Sequence, residues 1–194
     1  MINTLCDKEM QMPQMSKYME TYIRLASDRV MFLSENVTKD VASQISALLL
    51  YYDNTEPGVD IYMYIHCNGG DAAGLANIYD VMTMIKSPIR TVCMGKAYSA
   101  GAILLAAGTK GKRYAFKNSS IMIHGMQCLF PIAGQDQCNA KNYYEFLKNN
   151  NDGILKILAK HTGKTLNQIR QDCSRDLFLN SKQALEYGLI DAIL

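Results

Sequence analysis

Residues 60–107, DIYMYIHCNGGDAAGLANIYDVMTMIKSPIRTVCMGKAYSAGAILLAA, read as two strand–helix units in succession. Asp60–Ile65 predicts a strand that runs into the glycine turn Cys67-Asn-Gly-Gly70. Leu75, Ile78, Tyr79 and Met82 then fall on one helical face, and the Ser87-Pro88 pair stops that helix. Arg90–Met94 predicts the next strand and Ala100–Ala107 a short apolar helix. Upstream, Val30, Phe32 and Leu33 mark a strand. Val41, Ile45, Leu48 and Leu49 follow at i, i+4, i+7 and i+8, an amphipathic helix with Thr38 as N-cap. Asp53–Gly58 is turn chemistry. Downstream, two further strands are expected near Arg113–Phe116 and Ile121–His124. The alternation predicts an α/β domain with mostly parallel strands.

The C-terminal third has a different texture. Asn139–Lys160 has the length of one long helix, although Asn149–Gly153 (NNNDG) is a poor helix interior. Thr165-Leu-Asn-Gln168 resembles a capping box opening another helix. A short helix is expected from Ser181 to Tyr187-Gly188, and a strand over Leu189–Leu194. Residues 1–20 are Met-rich and polar without periodicity, an N-terminal arm. Residues 21–194 read as one domain.

Of the 194 residues, 48% are apolar and 20% charged, which suits a globular domain and excludes a disordered chain. A net charge of +2 gives no electrostatic case for nucleic acid or an acidic membrane surface. Lys110, Lys112 and Arg113 form the one tight basic cluster, read as a solvated turn. The weakly polar run Ser99–Gly108 is far shorter than the roughly 20 residues of a membrane span. The N-terminal residues lack the charged start and apolar core of a signal peptide, so a cytoplasmic location is expected. The six cysteines show no zinc-knuckle spacing, and no metal is expected. Cys93, between Val92 and Met94, reads as a small core residue.

Only three histidines, His66, His124 and His161, are available as a general base near neutral pH. His161 follows the long helix, where a structural or solvated role fits. His66 ends a strand beside the glycine turn. His124 ends the apolar strand Ile121-Met-Ile123, and strand ends are where α/β folds present reactive groups. The strongest local signal is Gly95-Lys-Ala-Tyr-Ser99-Ala-Gly101-Ala, which sets Ser99 between a strand and a helix of small residues. It reads equally as a nucleophile on a sharp turn and as the N-cap of an ordinary helix. Gly69-Gly70 reads as a plain turn or as half of an oxyanion hole, with the Ala100 N–H as the other half. Eighteen acidic residues leave the orienting acid of a triad unselected.

Together the segments RVMFLSENV, DIYMYIHCNGG, IYDVMTMIKSPIRTVCMGKAYSAGAILLAAGTKGKRYAF, NSSIMIHG, HTGKTLNQIRQD and SRDLFLNSKQALEYGLIDAIL resemble the proteolytic subunits of Clp proteases. The resemblance covers about Tyr22 to Leu194. It implies a ClpP/crotonase-like fold, a repeated β-β-α spiral head with a projecting helix–strand handle at about residues 125–160. It implies Ser99 as nucleophile, His124 as base and Asp176 as orienting acid, with the Gly70 and Ala100 N–H groups as oxyanion donors. It further implies heptameric rings stacked in pairs and a substrate of unfolded polypeptide. No cofactor is implied, ATP being spent by an AAA+ unfoldase of the Clp or Hsp100 type. That partner's loop is expected in an apolar pocket of Tyr62, Tyr64, Met84, Val92, Met94, Tyr114, Phe116 and Leu194.

The chain departs from the family pattern in several places. Cys67-Asn68 stand where Ser-Pro usually precedes the glycines, and Gly125-Met126 where Gln-Pro usually follows the histidine. Ala100 replaces a common methionine, Ser174 a common acidic residue, and CLFPIAGQDQC lengthens the handle. These point to a divergent paralogue and bear on ring stacking more than on chemistry. Two other function classes compete: a structural or regulatory ring subunit that needs a sister subunit, and a crotonase-like acyl-CoA enzyme. The complete Ser99–His124–Asp176 set weighs against the latter. A Cys67 nucleophile beside His66 is a remote further reading, because adjacent strand residues face opposite ways.

Overall fold

The computed structural model describes residues 17–126 and 137–194. The decisive stretch folds as β2 (Ile61–Cys67), α3 (Ala72–Met84), β3 (Ile89–Tyr98) and α4 (Ala100–Ala106). Before it come α1 (Lys17–Ser27), β1 (Val30–Leu33) and α2 (Lys39–Thr55). After it come β4 (Arg113–Ala115), β5 (Ser120–Ile123), α5 (Gln137–Thr162), α6 (Leu166–Asp172), β6 (Leu177–Asn180), α7 (Ser181–Tyr187) and β7 (Ala192–Ile193). Among the described residues seven strands form one sheet, in the order β1-β2-β3-β4-β7, with β5 on β3 and β6 on β5. Each pairing is parallel except β5–β6. The expected mixed α/β architecture stands.

Strand alternation sorts β2 between two environments. Ile61, Met63, Ile65 and Cys67 are buried in the core, while Tyr62 and Tyr64 are half-buried on the other face. The core face is shared by Met31, Leu33 and Cys93 and by α4, all seven of whose residues are buried. Burying a leucine- or isoleucine-sized side chain is worth about 1.5–3 kcal/mol, and each such residue on this face adds to the domain's cohesion on that scale. No helix among the described residues is long and apolar enough to cross a membrane.

Several elements depart from the sequence expectation. The last four residues of the supposed arm, Lys17–Glu20, begin α1, which buries none of its residues and so gives no core periodicity to read. α5 runs unbroken through Asn149–Gly153. Thr165 caps α6 by accepting from Gln168 N–H, but the Gln168 side chain donates to Asp172 at 2.7 Å instead of returning to the cap. The reciprocal capping box lies at Asn180 and Gln183, opening α7. β6 was not expected, and the closing strand is only two residues long. Residues 127–136, part of the helix–strand handle expected at about residues 125–160, lie outside the described residues.

Arg113 is the clearest correction. It is fully buried, not part of a solvated turn, and it donates to both carboxylate oxygens of Asp191 at 2.7 and 2.8 Å. Its Nη1 donates to the Ala106 and His161 carbonyls, so one side chain ties the ends of α4 and α5 to the C-terminal segment. Burial pushes the Asp191 carboxyl up, but the hydrogen bonds and charge of Arg113 outweigh it and hold it down at about 2. A depressed carboxylate adds stability above its unfolded value of 3.8 that is lost as pH falls towards about 2. Asp191→Ala strands the guanidinium and should cost about 3–5 kcal/mol at pH 7 in a denaturant titration. The gap between variant and wild type should shrink below pH 3.8.

Candidate active site

The register of three strands sets the site. β3 changes neighbours along its length: Thr91–Cys93 pair with β4, and Lys96–Tyr98 pair with Ser120–Met122 of β5. A bulge makes this possible, since β3 advances from Cys93 to Ala97 while β2 advances only from Ile65 to Cys67. β3 and β5 therefore end side by side, and Ser99 N–H donates to the Met122 carbonyl at 2.8 Å. His124 is the first residue past β5. β6 runs antiparallel, with Leu177 opposite Ile123, so Asp176 arrives level with His124. Gly125 N–H donates to the Cys173 carbonyl at 2.8 Å, which ties the chain just after His124 to the segment just before Asp176.

Three side chains distant in sequence thus meet. Ser99 Oγ lies 2.8 Å from His124 Nε2, and His124 Nδ1 lies 3.2 Å from Asp176 Oδ1. The imidazole is 13% exposed and the carboxylate 46%. Ser99 holds the N-cap position of α4, but its side chain makes no capping bond; the hydroxyl goes to His124 instead. Its φ of 52° and ψ of −120° are unusual for a residue with a Cβ, at a cost of about 1–3 kcal/mol. The turn is held by Met122 O on one side and by Ala102 and Ile103 N–H on the Ser99 carbonyl.

The glycine turn closes over the serine. A Cβ on Gly69 would stand 2.6 Å from Ser99 Cβ, and one on Gly70 would stand 2.2 Å from Val37 O. Val37 and Gly70 form a parallel bridge through Val37 N–H to Gly69 O and Asp71 N–H to Val37 O, both 2.7 Å. That pattern leaves the Gly70 N–H turned away from Val37. Gly70 and Ala100 line, with Ser99, His124, Met122, Met126 and Asp176, a cleft of about 560 Å³. A second, more apolar groove of about 440 Å³ lies between α3 and α5, and Ala72 and Ile154 belong to the walls of both.

Other candidate residues fall elsewhere. His66 is exposed and its Nδ1 contacts Met94 O at 2.7 Å, whereas Cys67 is buried on the opposite face with its thiol pushed up by burial. Those two do not form a catalytic pair. His161 packs edge-on against Tyr79, its Nε2 3.1 Å from the Tyr79 hydroxyl. Burial, then the charges of Lys160, Arg113 and Lys110, lower it to about 4.

Tyr62, Tyr64, Val92 and Tyr114 share the outer sheet face, Tyr64, Val92 and Tyr114 in direct register. Val92 is buried beneath that row, while Met94, Phe116 and Leu194 are exposed towards its end. Met84 belongs to the helix layer, exposed at the end of α3, and not to the strand row.

One residue at the site escaped sequence reasoning. Asn151 accepts a hydrogen bond from Met126 N–H at 2.7 Å, so the unfavourable NNNDG stretch has a use in tertiary structure. Five helix-averse residues inside a long helical pattern were the available signal.

A mixed α/β domain that presents a serine to a histidine at its strand ends, under paired glycines, has the geometry of a serine-hydrolase-type site. The family model described as Clp protease matches residues 13–194, and the chain belongs to that family of serine peptidases.

The closeness of the glycine turn to Ser99 is testable. Gly69→Ala adds a Cβ at φ +106° against Ser99 and should lose about 1–3 kcal/mol in a denaturant titration. Gly153→Ala, with nothing within 4 Å of the new Cβ, should gain about 0.5–1 kcal/mol from helix propensity.

Proposed function

We propose that this chain is the serine endopeptidase subunit of a self-compartmentalised, ATP-dependent protease that hydrolyses unfolded polypeptides to short peptides. The observation that carries the reading is the 2.8 Å contact between Ser99 Oγ and His124 Nε2. As Oγ bonds to the scissile carbonyl carbon, His124 Nε2 takes the hydroxyl proton. Asp176 accepts a hydrogen bond from Nδ1–H, which fixes the tautomer and favours the imidazolium that forms. The Gly70 and Ala100 N–H groups donate to the tetrahedral oxyanion. The intermediate collapses as Nε2–H protonates the leaving amine, the C–N bond breaks, and an ester remains on Ser99. Water then attacks that ester with His124 as base, the acid product leaves, and Ser99 regains its proton. No metal or organic cofactor enters this sequence.

The same reading places the subunit in heptameric rings, stacked in pairs, in the cytoplasm, with a paralogue as a candidate co-subunit. The aromatic outer face suits an apolar loop of a Clp or Hsp100 unfoldase, with Tyr62, Tyr64 and Tyr114 as its floor and Met94, Phe116 and Leu194 at its rim. The groove beside Ala72 and Ile154 suits an apolar substrate side chain next to the scissile bond.

Peptide hydrolysis by the assembled protein tests the chemistry. Ser99→Ala and Asp176→Asn should each lower kcat by about 10⁴-fold or more with little change in KM. Wild-type turnover in the Ser99→Ala assembly would rule the reading out.

A further inference from the structure

Immediately after His124 the chain is held at two successive amides. Gly125 N–H donates to the Cys173 carbonyl at 2.8 Å, on the segment that carries Asp176 three residues later. Met126 N–H donates to Asn151 Oδ1 at 2.7 Å, on α5. Gly125 and Met126 line the same cleft as Ser99. A Cβ on Gly125 would stand 3.2 Å from Cys173 O and 3.3 Å from Asn151 Oδ1, so the glycine lets both acceptors close on the loop. Without those acceptors, a glycine next to the imidazole leaves the backbone free to turn.

The helix is built to keep this contact. Asn149–Gly153 has low helix propensity throughout, yet α5 passes straight through it. Asp152 has its own use in an ion pair with Arg170 at 3.1 Å. Asn151 is half-buried, and its carboxamide oxygen is spent on the Met126 amide.

We propose that Asn151 is a positioning residue for the reaction at Ser99. By holding Met126 N–H, its side chain fixes the backbone that carries His124, and so the approach of the imidazole to Ser99 Oγ. It touches neither substrate nor the reacting atoms. The proposal rests on the peptidase reading, and its test separates the two.

Three variants of the full chain, in assembled form, suffice: Asn151→Ala removes the acceptor, Asn151→Asp keeps one, and Asp152→Ala disturbs the same helical turn without touching the loop. The readouts are kcat and KM on a peptide, the rate at which a fluorophosphonate labels Ser99, and hydrogen exchange at Met126. Asn151→Ala should lower kcat and the labelling rate about tenfold with KM little changed, and speed exchange at Met126 about tenfold or more. Asn151→Asp should restore exchange protection to within about threefold of wild type, and Asp152→Ala should match wild type in all three. Faster exchange in Asn151→Ala with wild-type kcat and labelling would overturn the positioning role. An equal loss in Asp152→Ala would also overturn it, by reducing the effect to helix weakening. A wild-type protein that never labels at Ser99 would instead remove the peptidase reading, and the positioning role with it.

Discussion

The pairing of β5 with β6, Ile123 opposite Leu177, is the constraint on which the site depends. Strand register has a period of two, and a slip of one residue turns every side chain to the other face. With Leu177 opposite Ile123, the residues just beyond the ladder are His124 and Asp176, and their side chains meet. On the other flank, Tyr98 opposite Met122 sets Ser99 beside the same histidine. Backbone ladders therefore bring the three residues together, and the side chains have only the last bond to find. The bulge in β3 belongs to this arrangement, because it frees the end of that strand from β4 and offers it to β5.

Two devices outside the ladders hold the surroundings in place. The Arg113–Asp191 pair gathers the ends of α4 and α5 and the C-terminal segment around one buried guanidinium. The Cys173 carbonyl and the Asn151 carboxamide hold the loop that leaves β5. Where the family resemblance leads one to expect a proline after the histidine, Met126 presents an N–H, and Asn151 accepts it. A hydrogen bond thus stands where a ring would otherwise restrict the backbone. The glycine turn adds a steric lid: Gly69 lies so close to Ser99 that no other residue fits without a shift.

Much of the central fold was legible because β2, α3, β3 and α4 are apolar segments bounded by Gly-Gly and Ser-Pro, signals that act within a few residues. What was illegible depended on distant partners. Arg113 looks like a surface charge until Asp191, 78 residues away, is placed against it. β6 has four residues with one buried, too few for a pattern, and so the strand that delivers Asp176 left no local trace. Asn149–Gly153 argued against a helix because propensity cannot know about Met126 or Arg170. Gln168 offered capping-box spacing, but its side chain found Asp172 first. At Ser99 the motif alone allowed a cap or a nucleophile. The hydroxyl makes no capping bond and contacts His124 instead.

The central claim is that Ser99 is a hydroxyl made nucleophilic by its contact with His124. Intact-mass and peptide-mapping analysis after exposure to a fluorophosphonate measures that most directly. The account requires one adduct per subunit, mapped to Ser99 and lost in His124→Ala. An unmodified Ser99 in the assembled wild-type protein, or labelling that persists unchanged without the imidazole, would contradict it.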